Sequence, residues 1–397
     1  MKNQKTAGTY LCTYKHRGHI LRISKPIKVL AAGVIVILYA ATHAFTAKSN
    51  PTIPAARLLA FKRAKSLGMG ISVSWLEQTW NKDALTENNL KKADFVLLKQ
   101  MGFKSIRLPV AFEYYENKQM ADEQIFTHID SIVKQCGLYG FKLIIDYHYG
   151  DFNEKNFPEE TKRAINTWIK LTKRYKRVSG DELLFEIYNE PPHMDPQIWK
   201  DAAYNIVAAI RKLDANRTLI IGASNYNSIY ELSRFVRLAD ENIIYTFHFY
   251  EPFLFTHQGA EWVGDQESTV GVPFPYSAEK FPIINPKAKS TDGEKNYKEY
   301  PIDGNEQSVR DKLQIVKNWG LKYDVPLLCG EYGVYNKYAD PDSRCRYIKT
   351  VRDALKALGI PGILWEYSGN FSIFNGAPAI ENLPDCMKDA IGFTEPK

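Results

Sequence analysis

The sequence predicts an α/β fold, a single (β/α)8 barrel of the TIM type with a long loop after its sixth strand. Three observations carry this. Apolar, strand-like runs alternate with amphipathic helical stretches, giving eight strand candidates in about 330 residues. No linker or low-complexity stretch separates them. Polar and charged residues recur just after the apolar runs, where parallel α/β folds place their chemistry. A doubly wound open sheet is the competing arrangement. It ordinarily has a glycine-rich phosphate turn after its first strand, and Trp75-Leu76-Glu77-Gln78 is not one.

Taken in order, Ala55–Lys65 reads as an amphipathic helix carrying Leu58, Leu59 and Phe61, ended by Gly68-Met69-Gly70 before the strand Ile71–Trp75. Leu90, Ala93, Leu97 and Met101 mark a second helical face, stopped by Gly102 before the strand Phe103–Leu108. Ile125, Ile129, Ile132, Val133 and Cys136 mark a third, followed by Gly140 and the strand Lys142–Asp146. Helices over 159–176, 196–213 and 229–237 precede the strands Leu183–Tyr188, Thr218–Gly222 and Ile243–Phe247. Asn305–Trp319, ended by Gly320, leads to Pro326–Cys329, and Tyr347–Leu358, ended by Gly359, leads to Gly362–Trp365. A closing helix covers 383–391. Between Phe247 and Asn305 lies a connection far longer than the usual loop, and long loops inside compact domains are usually functional or disordered. Its aromatic first half, with Phe255, His257 and Trp262, is expected to form a cleft wall. Its charged stretch Lys287–Lys298 is expected to be a solvated excursion.

The formal charge of +7 is accounted for by Lys2, Lys5, Lys15, Arg17, Arg22, Lys25 and Lys28, which leaves residues 29–397 neutral and gives no basis for nucleic-acid binding. These cations precede the apolar run Val29–Ala41 and the small residues that follow it. The pattern is that of a secretory signal, or of an uncleaved signal anchor, over residues 1–50. As a helix the run spans about 20 Å, short of a 30 Å hydrocarbon core. The catalytic domain is then 51–397, a monomer expected outside the cell or in the periplasm, and touching membrane only through the N-terminal segment if that is retained. Apart from Cys12, the cysteines (Cys136, Cys329, Cys345, Cys386) have no zinc-ligand spacing and name no pair.

The apolar run Leu183–Tyr188 stops at Asn189-Glu190-Pro191-Pro192, and proline cannot continue a central strand, so Asn189 and Glu190 are held at a strand's end. The other strand ends supply Arg107, Asp146 and His148, His248 and Tyr250, Glu331, and Trp365. Singly each has a structural explanation: an arginine pairs with an acid, a histidine is a bonded core residue, a tryptophan packs. Converging on one rim they require a task, because buried charge is costly. Two glutamates opposed across a barrel mouth suit glycoside hydrolysis, one protonated and one ionised. Arg107 and the Tyr250 hydroxyl would stabilise an anionic Glu331, while Glu190 stays protonated. Asn189 would bond the sugar 2-hydroxyl, and Trp365 offers an apolar face to a pyranose ring. Of the remaining tryptophans, Trp262, Trp75 and Trp80 follow strands and are subsite candidates, whereas Trp168, Trp199 and Trp319 belong to helix packing.

The motifs Ser105-Ile106-Arg107-Leu108-Pro109, Ile145-Asp146-Tyr147-His148, Tyr188-Asn189-Glu190-Pro191, His248-Phe249-Tyr250, Gly330-Glu331-Tyr332-Gly333 and Leu364-Trp365, in this order, resemble glycoside hydrolase family 5, the cellulase family of the retaining (β/α)8 clan. The resemblance runs from Leu58 to Phe374. It implies Glu190 as acid/base and Glu331 as nucleophile, with Arg107, His148, Asn189, His248, Tyr250 and Trp365 at the remaining active-site positions. Phe255–Trp262 is similar to a segment of certain bacterial endoglucanases. Two departures, Ser72 for an asparagine and Tyr149 for a second histidine, bear on sugar contacts. The implied activity is a retaining endo-β-1,4-glucanase acting on β-linked polysaccharide or oligosaccharide, without cofactor or metal. A β-mannanase, xyloglucanase or β-1,3-glucanase would use the same chemistry. A metal-dependent barrel hydrolase built on Asp146, His148 and His248 and a non-catalytic glycan-binding barrel are the readings from other classes.

Overall fold

A computed structural model describes residues 53–80 and 91–394. The targeting segment 1–50, Cys12 and Leu90 lie outside the described residues. The strands are β1 Met69–Ser72, β2 Ser105–Val110, β3 Lys142–Tyr147, β4 Leu183–Glu186, β5 Leu219–Ile221, β6 Ile243–His248, β7 Leu327–Tyr332 and β8 Gly362–Leu364. Each pairs in parallel with the next, and β8 returns to β1, closing the expected barrel. The outer helices are α1 Ala55–Leu67, α2 Lys92–Gln100, α3 Phe112–Asn117, α4 Asp122–Tyr139, α5 Phe157–Tyr175, α6 Pro196–Arg211, α7 Ile229–Arg234, α8 Asp292–Asp303, α9 Glu306–Tyr323, α10 Pro341–Leu358 and α11 Asp385–Ile391.

Strand alternation sorts the side chains. Ile106, Leu108, Leu143, Ile145, Leu183 and Phe185 belong to the large core shared with the helices. The intervening positions Ile144, Leu184, Ile220, Ile244, Leu328 and Ile363 form a separate apolar layer, joined by Ala64 and Leu67 of α1. Two residues further along β3 and β4 stand Asp146 and Glu186, so the barrel interior is apolar at its lower end and charged towards its mouth.

The structure departs from the sequence expectations where packing overrides local pattern. In α1 the buried residues are Ala60, Arg63, Ala64 and Leu67, and Leu58 is exposed. The helix lies across the lower mouth, where small residues fit, and Arg63 is held by Asp181, the Asn216 carbonyl and Thr218. In α2 the buried face is Phe95, Leu97, Leu98 and Met101, with Ala93 exposed. The first strand ends at Ser72 and passes into a 3-10 turn at Ser74–Glu77. Strand β2 runs through Pro109 to Val110; the proline nitrogen faces the side where β1 has already ended, so the missing N–H costs no ladder bond. Gly320 does not stop α9: it lies inside the helix, where a Cβ would sit 2.7 Å from Leu327 Cδ1. The stretch Lys287–Lys298, expected as a solvated excursion, exposes Lys287, Lys289, Lys295 and Lys298 but also enters α8 and is anchored by Tyr297, whose ring stacks on Phe281 at 4.6 Å. Cys345 of α10 and Cys386 of α11 form a disulfide, and Cys136 and Cys329 are buried thiols. Trp168, Trp199 and Trp319 are core residues, as expected.

Candidate active site

Arg107 of β2 is the hub of the barrel mouth and is wholly buried. Its Nε donates to Glu186 Oε2 at 2.7 Å, its Nη1 to Glu331 Oε1 at 2.7 Å and its Nη2 to Asn189 Oδ1 at 2.6 Å. Asp146 Oδ2 stands 3.1 Å from the same Nη2. One planar guanidinium thus ties β2, β3, β4 and β7 together, which a fork of five donors allows and an ammonium does not. Asp146 in turn faces His148 Nδ1 at 2.7 Å.

The two predicted glutamates meet above this hub. The β4 ladder ends at Glu186, two residues before the expected end, but the Ile187 and Asn189 amides still donate to Ile220 and Tyr147 carbonyls at 3.1 and 2.9 Å. Asn189 and Glu190 therefore sit on the strand lip. The Asn189 oxygen is taken by Arg107, so its NH2 is the end available to a ligand. Glu331 accepts from the Tyr250 hydroxyl at 2.9 Å, and His248 Nδ1 lies 2.5 Å from Glu190 Oε1 and 3.4 Å from Glu331 Oε2. A ligating atom of each of Glu190, His248 and Glu331 lies within 4.8 Å of the others. Three such donors could also face a cation, but the Arg107 charge against Glu331 opposes a dication there.

Burial raises the Glu190 carboxyl to about 7, against the pull of His148 and Arg107. It also raises Glu331, with His248 and Arg107 opposing and the Glu190 charge adding to the rise. The two titrate as a pair. Glu331 has the guanidinium and the phenol as donors, so it ionises first and Glu190 keeps the proton. Burial lowers His148 to about 3 and His248 to about 4, so both rings are neutral around pH 7.

A cleft of about 740 Å³ runs over this centre, lined by His148, Asn189, Glu190, Tyr250, Glu331, Trp262 and Trp365 among others. A second basin of about 550 Å³ shares Glu190, Tyr250 and Trp262 and adds His248 and Tyr226. All nine residues expected at the site thus come together, with Arg107 beneath the floor. Trp365 stacks on His148, ring centres 5.6 Å apart. Trp262 is 57% exposed and meets Tyr335 edge-on, so the long connection does supply cleft wall. Trp80 lines the rim; Trp75 does not line the cleft and packs in the core.

Four residues of the site were not singled out from the sequence. Glu186 is wholly buried on Arg107; its one signal is a charge inside an otherwise apolar strand. Glu77 and Glu366 line the cleft while buried, and Ser74 Oγ donates to Glu366. Burial raises Glu77 to about 8, opposed by a hydrogen bond from Tyr149. Asn227 reaches the centre from beyond β5 and carries no motif at all.

Comparison with known proteins agrees with this geometry. The sequence model of the cellulase family, glycosyl hydrolase family 5, matches residues 64–371. Endoglucanase 3 of Fibrobacter succinogenes is 31% identical over 353 residues, covering 82% of this chain and 53% of that protein, so the chain spans about half its length. Endoglucanase C of Acetivibrio thermocellus is 30% identical over 335 residues, covering 80% of this chain and 94% of the relative. Among solved structures, endoglucanase Cel5A of Thermotoga maritima superposes with a TM-score of 0.67 at 25% identity, over 84% of this chain and 99% of that one. The cellulose synthase subunit Z of Clostridioides difficile, at 24% identity and a TM-score of 0.65 over 81% of this chain and 99% of that one, shares the fold. The barrel, the opposed glutamates Glu190 beyond β4 and Glu331 on β7, and the match over residues 64–371 place this chain in glycoside hydrolase family 5.

Proposed function

We propose that the chain is a retaining endo-β-1,4-glucanase in which Glu331 is the nucleophile and Glu190 the acid/base. The carrying observation is the approach of the two carboxyl groups, whose nearest oxygens fall within 4.8 Å. Retaining enzymes hold the pair about 5–5.5 Å apart, whereas inverting ones leave about 6.5–9.5 Å for a water. In the first step Glu331 attacks the anomeric carbon and the glycosidic C–O bond breaks, while Glu190 gives its proton to the departing oxygen. In the second, Glu190 takes a proton from water, whose oxygen displaces Glu331 and frees the sugar with its configuration retained. Arg107 and the Tyr250 hydroxyl keep Glu331 ionised, and Asn189 is placed for the 2-hydroxyl. Trp365 and Trp262 offer apolar faces to rings on either side. The cellulose-type substrate rests on the endoglucanases among the relatives.

The test is release of reducing ends from carboxymethyl-cellulose and galactomannan by the full chain, with proton NMR of the first-formed anomer. Glucan cleavage with β product supports the assignment. Mannan cleavage alone moves the specificity to the contacts around Asn189 and His148. Glu190→Gln and Glu331→Gln should each lose nearly all turnover while still binding substrate, and normal hydrolysis by Glu331→Gln would sink the assignment. We further propose export directed by the N-terminal basic and apolar segment. Among the described residues no helix is long and apolar enough to cross a membrane. N-terminal sequencing of protein recovered outside the cytoplasm decides between cleavage and anchoring.

A further inference from the structure

Three consecutive residues beyond β5, Asn225, Tyr226 and Asn227, have left-handed backbone, with φ of 57°, 59° and 54°. Side-chain-bearing residues disfavour that region, and such strain persists where the surroundings over-determine it. The contacts here converge on the loop that carries Glu190. The Asn225 N–H donates to the Pro192 carbonyl at 3.0 Å and the Tyr226 N–H to the Pro191 carbonyl at 2.9 Å. The Asn227 side chain, 0% exposed, donates from Nδ2 to the Asn189 carbonyl. The same nitrogen lies 3.3 Å from His248 Nε2. Room for this carboxamide exists because residue 222 is glycine; a Cβ there would fall 1.8 Å from Asn227 Oδ1.

The orientation of the amide follows from chemistry. A backbone carbonyl only accepts, so Asn227 must turn its NH2 towards Asn189. That NH2 is then also a donor towards His248, whose Nε2 has to offer a lone pair. A neutral imidazole has one N–H, so the hydrogen sits on Nδ1, facing Glu190 at 2.5 Å. The groups around the ring are Glu190 and Glu186 from β4 and the turn after it, Glu331 from β7, Arg107 from β2 and His148 from the end of β3. Burial keeps the ring neutral among them.

We propose that Asn227 is a positioning residue for the acid/base: it holds His248 as the Nδ1–H tautomer, so that the imidazole donates to the Glu190 carboxylate once its proton has left with the departing oxygen. This rests on the reading of Glu190 as acid/base. Without Asn227 the Nε2–H tautomer becomes accessible, Nδ1 turns a lone pair on Glu190, and the protonated form of that carboxyl is favoured. The base role in the second step then suffers.

The first test is nitrogen NMR of the histidine-labelled full chain near pH 7, with the His248 signals assigned by their loss in His248→Gln. A protonated Nδ1 and bare Nε2 are expected; a protonated Nε2 overturns the proposal, and no Asn227 variant has to fold for this measurement. The second is the pH profile of Asn227→Ala on 2,4-dinitrophenyl cellobioside, whose good leaving group needs little acid assistance. Expected are a kcat loss of about tenfold or more near pH 7 and an acidic limb of kcat displaced upward, since kcat on this substrate reports the second step in which Glu190 is the base. A profile superimposable on the parent's, or scaled down equally at every pH, overturns the proposal. Full activity in Glu190→Gln would instead defeat the acid/base reading and leave the tautomer result to stand by itself.

Discussion

Replacing Glu77 by glutamine should change how the stability of this barrel depends on pH. Glu77 is 1% exposed, and burial raises its carboxyl from 4.5 to about 8; the charges of Glu331 and Asp146 add to the rise, while the Tyr149 hydroxyl and Arg107 oppose it. A folded-state pKa above the unfolded one means that the folded chain holds a proton the unfolded chain has lost. The associated stability is fully present below pH 4.5 and is lost as pH rises through about 8. At about 1.36 kcal/mol per pH unit, the full displacement amounts to about 5 kcal/mol. Glutamine keeps the size and the hydrogen-bonding edge but cannot ionise. Urea unfolding of both proteins at pH 5 to 9 is the assay. The variant should gain on the parent steadily as pH rises, with the gain levelling off above about 8. Parallel stability curves over that range would refute the argument that Glu77 is buried as a neutral acid.

Arg107→Lys should both loosen and slow the protein. A single ammonium cannot span Glu186, Asn189 and Glu331, and breaking a buried pair costs about 3–5 kcal/mol. With the guanidinium hydrogen bond to Glu331 lost, burial carries that carboxyl further up, so the acidic limb of the pH–rate profile moves to higher pH; an unmoved limb counts against Arg107 as the support of the nucleophile. Cys345→Ser should lower stability by about 4 kcal/mol, since the Cys345–Cys386 bond closes a loop with a sequence separation of 41. Urea unfolding with and without reductant measures this, and a parent protein indifferent to reductant would contradict it.

The order of the elements and the chemistry at the strand ends could be read from the chain alone. Alternation of continuous apolar runs with amphipathic helical stretches implied parallel strands and crossovers, and Asn189-Glu190-Pro191-Pro192 had to stop a strand because proline has no N–H to extend it. Arg107, His148, His248, Tyr250, Glu331 and Trp365 were found because each lies in the last part of a strand or just beyond it, and parallel strands bring their ends to one face. Residues that reach the site from other settings left no such trace. Glu77 lies in a 3-10 turn, Asn227 in a left-handed loop, and Glu186 looks like one charge in an apolar run. Their roles come from what closure places beside them: Arg107 against Glu186, Tyr149 against Glu77, His248 against Asn227. The same holds for the small-residue face of α1, the glycine inside α9 and the pairing of Cys345 with Cys386. Local sequence determines what a segment tends to form. Which polar groups are buried together, and so which carboxyls keep their protons, depends on distances across the barrel that arise only when all eight strands have closed.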